Sequence, residues 1–211
     1  MKKIFLPLIY SVLMRNFLRL IVGVHYQNRA VLKKEKQFII VANHNSHVDT
    51  MALLSALPPG MIHKTHPVAA GDYFGKSNMR AGATRFFVNA LLIPRSRPKP
   101  GESGPDPIQM MIDKLDEGHS LILFPEGSRG EPDKMQKFKR GIGILLEQRP
   151  NIPFIPVFMK GMGKVLPKGD KVMVPFDTYA TFGEPRKCNS SAADGIVKEV
   201  EESILWLNSE E

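Results

Sequence analysis

The chain has 211 residues, 43% of them hydrophobic, which is enough for one domain with a core of its own. Its 29 Lys and Arg against 21 Asp and Glu leave a net charge of +8, which favours partners that carry phosphate or other negative charge and disfavours basic ones. The single cysteine, Cys188, excludes an intramolecular disulfide and a cysteine-based metal site.

The amino terminus opens with Met1-Lys-Lys and an apolar run over 4–14, interrupted at Arg15 and Arg19 and resuming to Val24. No small-residue cleavage site follows, and no uninterrupted stretch approaches the ~20 residues of a spanning helix. The segment 1–30 is therefore expected to be an amphipathic helix lying in a membrane surface, ahead of one domain over 31–211. Arg15 and Arg19 are four apart and share a helical face toward lipid phosphates, while Phe5, Leu8, Ile9, Val12, Leu13 and Phe17 enter the acyl region. A helix packed on the domain core is the alternative.

Beyond it, strands and helices alternate. Short β-branched runs read as strands over 37–42, 66–70, 91–94, 120–124 and 154–159, with a strand pair over 171–182. Helices are expected over 49–57, 78–88, 107–116, 138–148 and 192–207, and the Pro- and Gly-rich stretch 94–105 reads as a loop. The expected fold is a single α/β domain, a largely parallel mixed sheet flanked by helices. There is no internal repeat.

Three polar clusters fall where predicted strands end, which is where open parallel sheets carry their sites. The first is Asn43-His44-Asn45-Ser46-His47-Val48-Asp49. His44 can accept a proton from a substrate hydroxyl while Asp49 holds its other nitrogen, so that no nucleophile on the protein is needed. Ser46-x-x-Asp49 equally matches a helix capping box, and His44, His47 and Asp49 admit a metal reading that lacks further ligands. The second cluster is Arg95-Ser-Arg97, a cationic group after a strand. The third is Phe124-Pro-Glu126-Gly127-Ser128-Arg129, where Gly127 lets backbone donors approach an anion and Arg129 can grip a phosphate with two hydrogen bonds. An ordinary turn beside a solvated arginine is the plainer reading of such a stretch taken alone. Lys137, Lys139 and Arg140 add basic charge just beyond it, suited to lipid headgroups, coenzyme A or an acidic carrier protein.

In order, these stretches resemble the glycerolipid acyltransferase family, in its bacterial 1-acylglycerol-3-phosphate acyltransferase branch. The blocks are Asn43-His44 to Asp49, Leu92-Ile-Pro-Arg-Ser-Arg97, Phe124 to Arg129, and Ile152-Pro-Phe-Ile-Pro-Val157. The resemblance covers roughly residues 38–161. It implies His44 and Asp49 as the catalytic pair and Arg97, Glu126, Gly127, Ser128 and Arg129 as the acceptor-phosphate site. Pro156 would then belong to donor binding, with Lys137, Lys139 and Arg140. It further implies acyl transfer from acyl-CoA or acyl carrier protein to the free hydroxyl of a lysophospholipid, giving phosphatidic acid, with no metal or other cofactor. Anionic membrane lipids are the implied partners, at the cytoplasmic face of the cell membrane, and nucleic acid is not. In the second block Arg95 and Ser96 stand where an apolar-acidic pair is more usual, which leaves another lysolipid, such as a lyso-ornithine lipid, as the rival acceptor. A non-catalytic basic lipid-binding module would explain the charge but not three strand-end clusters, and a metallohydrolase would be sensitive to chelators.

Overall fold

The computed structural model describes residues 2–71, 88–98, 103–131, 134–165 and 174–209. Seven strands form one sheet in the order β1-β7-β6-β2-β5-β3-β4. They are β1 Val24–Gln27, β2 Ile39–Ala42, β3 Thr65–Ala70, β4 Leu91–Ile93, β5 Ser120–Leu123, β6 Phe154–Lys160 and β7 Thr178–Phe182. Every pairing is parallel except β6 with β7. The expected mixed, largely parallel sheet is what the chain forms.

All four residues of the central strand β2 are buried because the sheet is covered on both faces. Successive side chains point to opposite faces. Ile40 and Ala42 therefore join one core with Ile122, Ile155 and Val157, beneath the amino-terminal helix and helix α2 (His47–Ala56). Ile39 and Val41 join the other, with Leu121, Leu123 and Phe154, beneath α4 (Pro107–Asp116), α5 (Gly141–Gln148) and α7 (Ala193–Ser209). Each such side chain fully removed from water contributes about 1.5–3 kcal/mol. Short helices α3 (Pro59–Ile62) and α6 (Met162–Val165) complete the helical covering among the described residues.

Local chemistry sets the helix limits. Asp106 caps α4 by accepting from Ile108 N at 2.8 Å, with Pro107 in the first turn where its missing N–H costs nothing. Its buried residues Ile108, Met111, Ile112 and Leu115 fall on one face at helical spacing.

Three expectations change. The stretch expected as a strand pair contributes, among the described residues, the single strand β7, and Val174–Asp177 is irregular backbone that ties to the first helix through Phe176 N to Val22 O at 3.0 Å. Strand β1 is an addition: only four residues, half of them polar, give no run for periodicity to detect, and the strand exists because β7 lies beside it. The division expected at residue 30 falls inside the 3-10 turn Arg29–Lys33. The expected helix at 78–88 lies outside the described residues, apart from Val88.

The third change concerns the amino-terminal helix α1, continuous over residues 2–22 with π-helical turns at Leu8–Met14 and Leu18–Val22. Its Lys3–Val22 stretch is long and apolar enough to cross a membrane, with mean hydropathy 1.6 and 17% of it buried. The two arginines interrupt the apolar run without ending the helix. Leu6, Tyr10, Leu18 and Val22 pack into the core, whereas Ile4, Leu8, Val12, Leu13, Phe17, Leu20 and Ile21 are exposed. Ile9, expected on the lipid side, packs against the core. Arg15 is partly buried where Arg19 is exposed, and its guanidinium binds the carbonyls of Ser55 and Leu57 at the end of α2.

Candidate active site

Strand β3 pairs with β5 only as far as Pro67 opposite Ile122, and from Val68 onward it pairs with β4. Proline has no N–H to continue the ladder, and the strand changes partner there. A cavity of about 500 Å³ opens beyond this point, at the carboxyl ends of the strands. Pro67, Val68, Ala70, Ala90, Met51 and Phe124 give it an apolar wall, and His44, His47, Arg95, Ser128 and Arg129 a polar one.

His44 follows directly from β2. Its Nδ1 lies 2.9 Å from Asp49 Oδ2, and its ring stacks on Phe124 with centroids 4.1 Å apart. A carboxylate only accepts, so Nδ1 carries the ring proton and Nε2 presents its lone pair. No described residue hydrogen-bonds Nε2. It is free to take a proton from a bound hydroxyl.

Asp49 is fully buried, and Oδ2 also accepts the main-chain N–H groups of Asn45 and Ser46, each at 2.8 Å. Ser46 Oγ accepts from Val48 N at 3.3 Å and from the Asp49 main chain, the latter completing a capping box. The geometry of Ser46-x-x-Asp49 thus accommodates both the capping box and a hold on the His44 ring. One carboxylate starts α2 and fixes the imidazole, because the first turn of that helix faces the strand end that carries His44.

The first and third motifs are laced together through the backbone. His44 N donates to Glu126 Oε1 at 2.9 Å, and Gly130 N donates to His44 O at 3.0 Å. Glu126 is 2% exposed. Burial pushes its carboxyl above the ordinary glutamate range, opposed by the hydrogen bond from the His44 backbone. Glu126, expected among the acceptor ligands, thus holds the His44 backbone in place. Asn43 does the same for the strand end: its side chain donates to Met159 O at 2.9 Å and accepts from Met159 N at 2.7 Å.

Of the expected acceptor ligands, Gly127, Ser128 and Arg129 line the cavity. Gly127 has φ +74°, and a β-carbon there would run into the Lys139 side chain. Arg97 is elsewhere: its Nε pairs with the helix-capping Asp106 at 3.1 Å, and both are partly solvent-exposed. The cavity receives Arg95 instead. Two arginines separated by one residue are indistinguishable in a loop sequence, and only the path of the chain after Ile93 chooses between them.

The donor-side residues separate similarly. Pro156 is buried inside β6 opposite Val41, packed against Gly183 and accepting Gly183 N at 2.8 Å; it supports the sheet and does not line the cavity. Arg140 pairs with Asp194 at 2.9 Å and Lys137 is exposed, so only Lys139, folded over Gly127, adjoins the cavity. His47, which the sequence offers only as a candidate metal ligand, lines the cavity in the first turn of α2. Burial, then Arg129 and His44, hold its pKa below the usual histidine value, with Asp49 opposing. Among the described residues, no group of three or more His, Cys, Asp and Glu is placed to hold a metal ion.

A histidine held by a buried carboxylate, facing cations across a largely apolar cavity, suits a transferase whose attacking hydroxyl arrives with the substrate. The chain belongs to the Acyltransferase family, whose model matches residues 23–160. It is 29% identical over 165 residues to the 1-acyl-sn-glycerol-3-phosphate acyltransferase of Bacillus subtilis, covering 77% of this chain and 73% of that one. It is 28% identical over 171 residues to Tafazzin of Drosophila melanogaster, covering 78% of this chain and 44% of that one. The chain thus spans less than half the length of that relative and of the matching chloroplast acyltransferases of Brassica napus and Arabidopsis thaliana. Among solved structures it resembles the 1-acyl-sn-glycerophosphate acyltransferase PlsC of Thermotoga maritima. The TM-score is 0.77 at 25% identity, covering 99% of this chain and 80% of that one.

Proposed function

We propose that this chain transfers a fatty acyl group from a thioester, on coenzyme A or acyl carrier protein, to the free hydroxyl of 1-acyl-sn-glycerol 3-phosphate. The product is phosphatidic acid. The observation that carries this reading is that the Nε2 side of the His44–Asp49 pair opens on the same cavity as Arg95 and Arg129. The phosphate binds those two guanidiniums, which offer planar pairs of donors to its oxygens. The acyl chains lie along the apolar wall formed by Met51, Val68, Ala70 and Phe124.

With the phosphate held, the acceptor hydroxyl lies against His44. As it attacks the thioester carbonyl, Nε2 removes its proton and Asp49 stabilises the imidazolium. Collapse of the tetrahedral intermediate expels the thiolate, which takes the proton back from His44. Atoms balance without an acyl-enzyme, and no metal or other cofactor is required. The exposed apolar face of α1 supports work at a membrane surface, at the cytoplasmic face where both thioester donors are made.

The test is acyl transfer from oleoyl-coenzyme A and from oleoyl carrier protein to 1-acylglycerol 3-phosphate, comparing wild type with His44→Ala. Product from the wild type alone supports the reading. Acylation of other lysolipids but not this one overturns the acceptor, and no acylation of any lysolipid overturns the reaction.

A further inference from the structure

The end of α2 remote from the cavity has its own chemistry. The last carbonyls of a helix lack intrahelical partners. Here Arg15 gives Nε to Ser55 O at 2.6 Å and Nη2 to Leu57 O at 2.9 Å, and Arg29 gives Nε to Ala56 O. Guanidiniums suit this position because a helix carries roughly half a negative charge at its carboxyl end. That half charge is small against two full positive ones.

No acid makes up the difference. Residues 1–34 contain Lys2, Lys3, Arg15, Arg19, Arg29, Lys33 and Lys34 and neither Asp nor Glu. None of the ion pairs among the described residues includes Arg15, Arg19 or Arg29. Arg19 follows Arg15 by about one turn of α1 and is exposed. The three are near enough to act on one another: burial first, and then Arg29 and Arg19, lower the pKa of Arg15, and Arg19 also lowers that of Arg29. A guanidinium has five N–H donors. Arg15 Nη1 and both terminal nitrogens of Arg29 donate to no described residue.

We propose that Arg15, Arg19 and Arg29 form a binding site for a phosphate group, distinct from the cavity and supplied by a phospholipid headgroup. Partly buried like charges held together without a counter-charge call for an anion. Phosphate fits better than carboxylate, because its oxygens can each meet a different guanidinium fork. The lipid source follows from the surroundings: Leu8, Val12, Phe17, Leu20 and Ile21 are exposed on the same helix. The ten residues of α2 then join a headgroup at one end to the His44–Asp49 cap at the other, about 15 Å away. Such a strut sets the height of the cavity above the bilayer. This inference does not depend on the reaction proposed above.

The experiment measures binding of the full chain to vesicles of phosphatidylcholine alone and with part of it replaced by phosphatidylglycerol. Arg19→Gln removes no protein hydrogen bond, Arg29→Lys keeps the charge but loses the fork, and Lys33→Gln removes an exposed charge from the same basic stretch. Wild type is expected to prefer the anionic vesicles. Arg19→Gln and Arg29→Lys should each weaken that preference about fivefold or more, and Lys33→Gln less, since a generic surface cation contributes at most about fivefold. Equal losses in Lys33→Gln and Arg19→Gln with Arg29→Lys unchanged would overturn the site in favour of diffuse attraction. A thermal-unfolding arm with inorganic phosphate alone separates the sources: stabilisation of wild type but not of Arg29→Lys would overturn the lipid source.

Discussion

The buried carboxylate of Glu126 accepts the main-chain N–H of His44 at 2.9 Å, so the third motif grips His44 by its backbone. Glutamine at 126 keeps an acceptor for that N–H, and alanine does not. Glu126→Gln is expected to retain the KM for acceptor and most of kcat, whereas Glu126→Ala loses kcat by tenfold or more with little change in KM, as steady-state kinetics will report. A large KM rise in Glu126→Gln would instead mean that Glu126 touches the acceptor.

The same residue makes a statement about pH. Its folded-state pKa is raised by burial above the ordinary 4.5, so the folded protein binds this proton more tightly than the unfolded chain. The resulting stability is present in full below 4.5 and is lost as pH rises through the folded value. Glu126→Gln removes the buried charge. Its melting temperature relative to wild type should therefore be most favourable at neutral pH and should decline toward pH 4, a trend that thermal unfolding across that range will check.

Asp49 Oδ2 takes three N–H donors, one from the His44 ring and two from the helix cap. In Asp49→Asn the amide oxygen can still serve the cap, but nothing obliges His44 to keep its proton on Nδ1. A kcat loss of about 10³–10⁴ with a folded protein is expected. Circular dichroism alongside the rate assay distinguishes this from unfolding, and an active Asp49→Asn enzyme would leave Asp49 with the cap alone.

Arg95 and Arg97 differ by where they point. Removing Arg95, which lines the cavity, should raise the acceptor KM by roughly 10–100-fold, the range for one charge-assisted contact of about 1.5–3 kcal/mol. Arg97→Gln breaks only a half-exposed pair with Asp106, whose capping bond to Ile108 N survives. Such pairs contribute at most about 1 kcal/mol. A KM rise confined to Arg97→Gln would reverse the assignment.

His47 has its pKa lowered by burial and by Arg129. The unfolded chain therefore binds this proton more readily, and the contribution of His47 to stability falls as pH drops below the ordinary 6.5. His47→Gln should flatten the loss of melting temperature as pH falls below the ordinary 6.5. An unchanged slope would show that the neutral ring is not favoured by the fold.

How much of this was legible in the chain follows from the range of each interaction. Residues 37–42 and 154–159 read as strands because each carries at least four consecutive apolar side chains, β-branched ones among them, which announce burial on both faces, and the Asp106-Pro107 cap announces α4 through contacts two residues apart. His44 and Asp49 lie five apart, so their pairing was readable locally, as was the capping box that shares their carboxylate. Long-range geometry decided the rest. Only the sheet places Glu126 beside the His44 backbone, 82 residues away, brings Arg95 rather than Arg97 to the cavity, and closes Pro156 into the ladder opposite Val41. Arg15 reads as a lipid-facing charge in an amphipathic helix, and only the tertiary structure shows that it also fills the end carbonyls of α2, 40 residues on. A pattern records which residues prefer water or a neighbour's hydrogen bond, and the tertiary structure alone decides which neighbour is there.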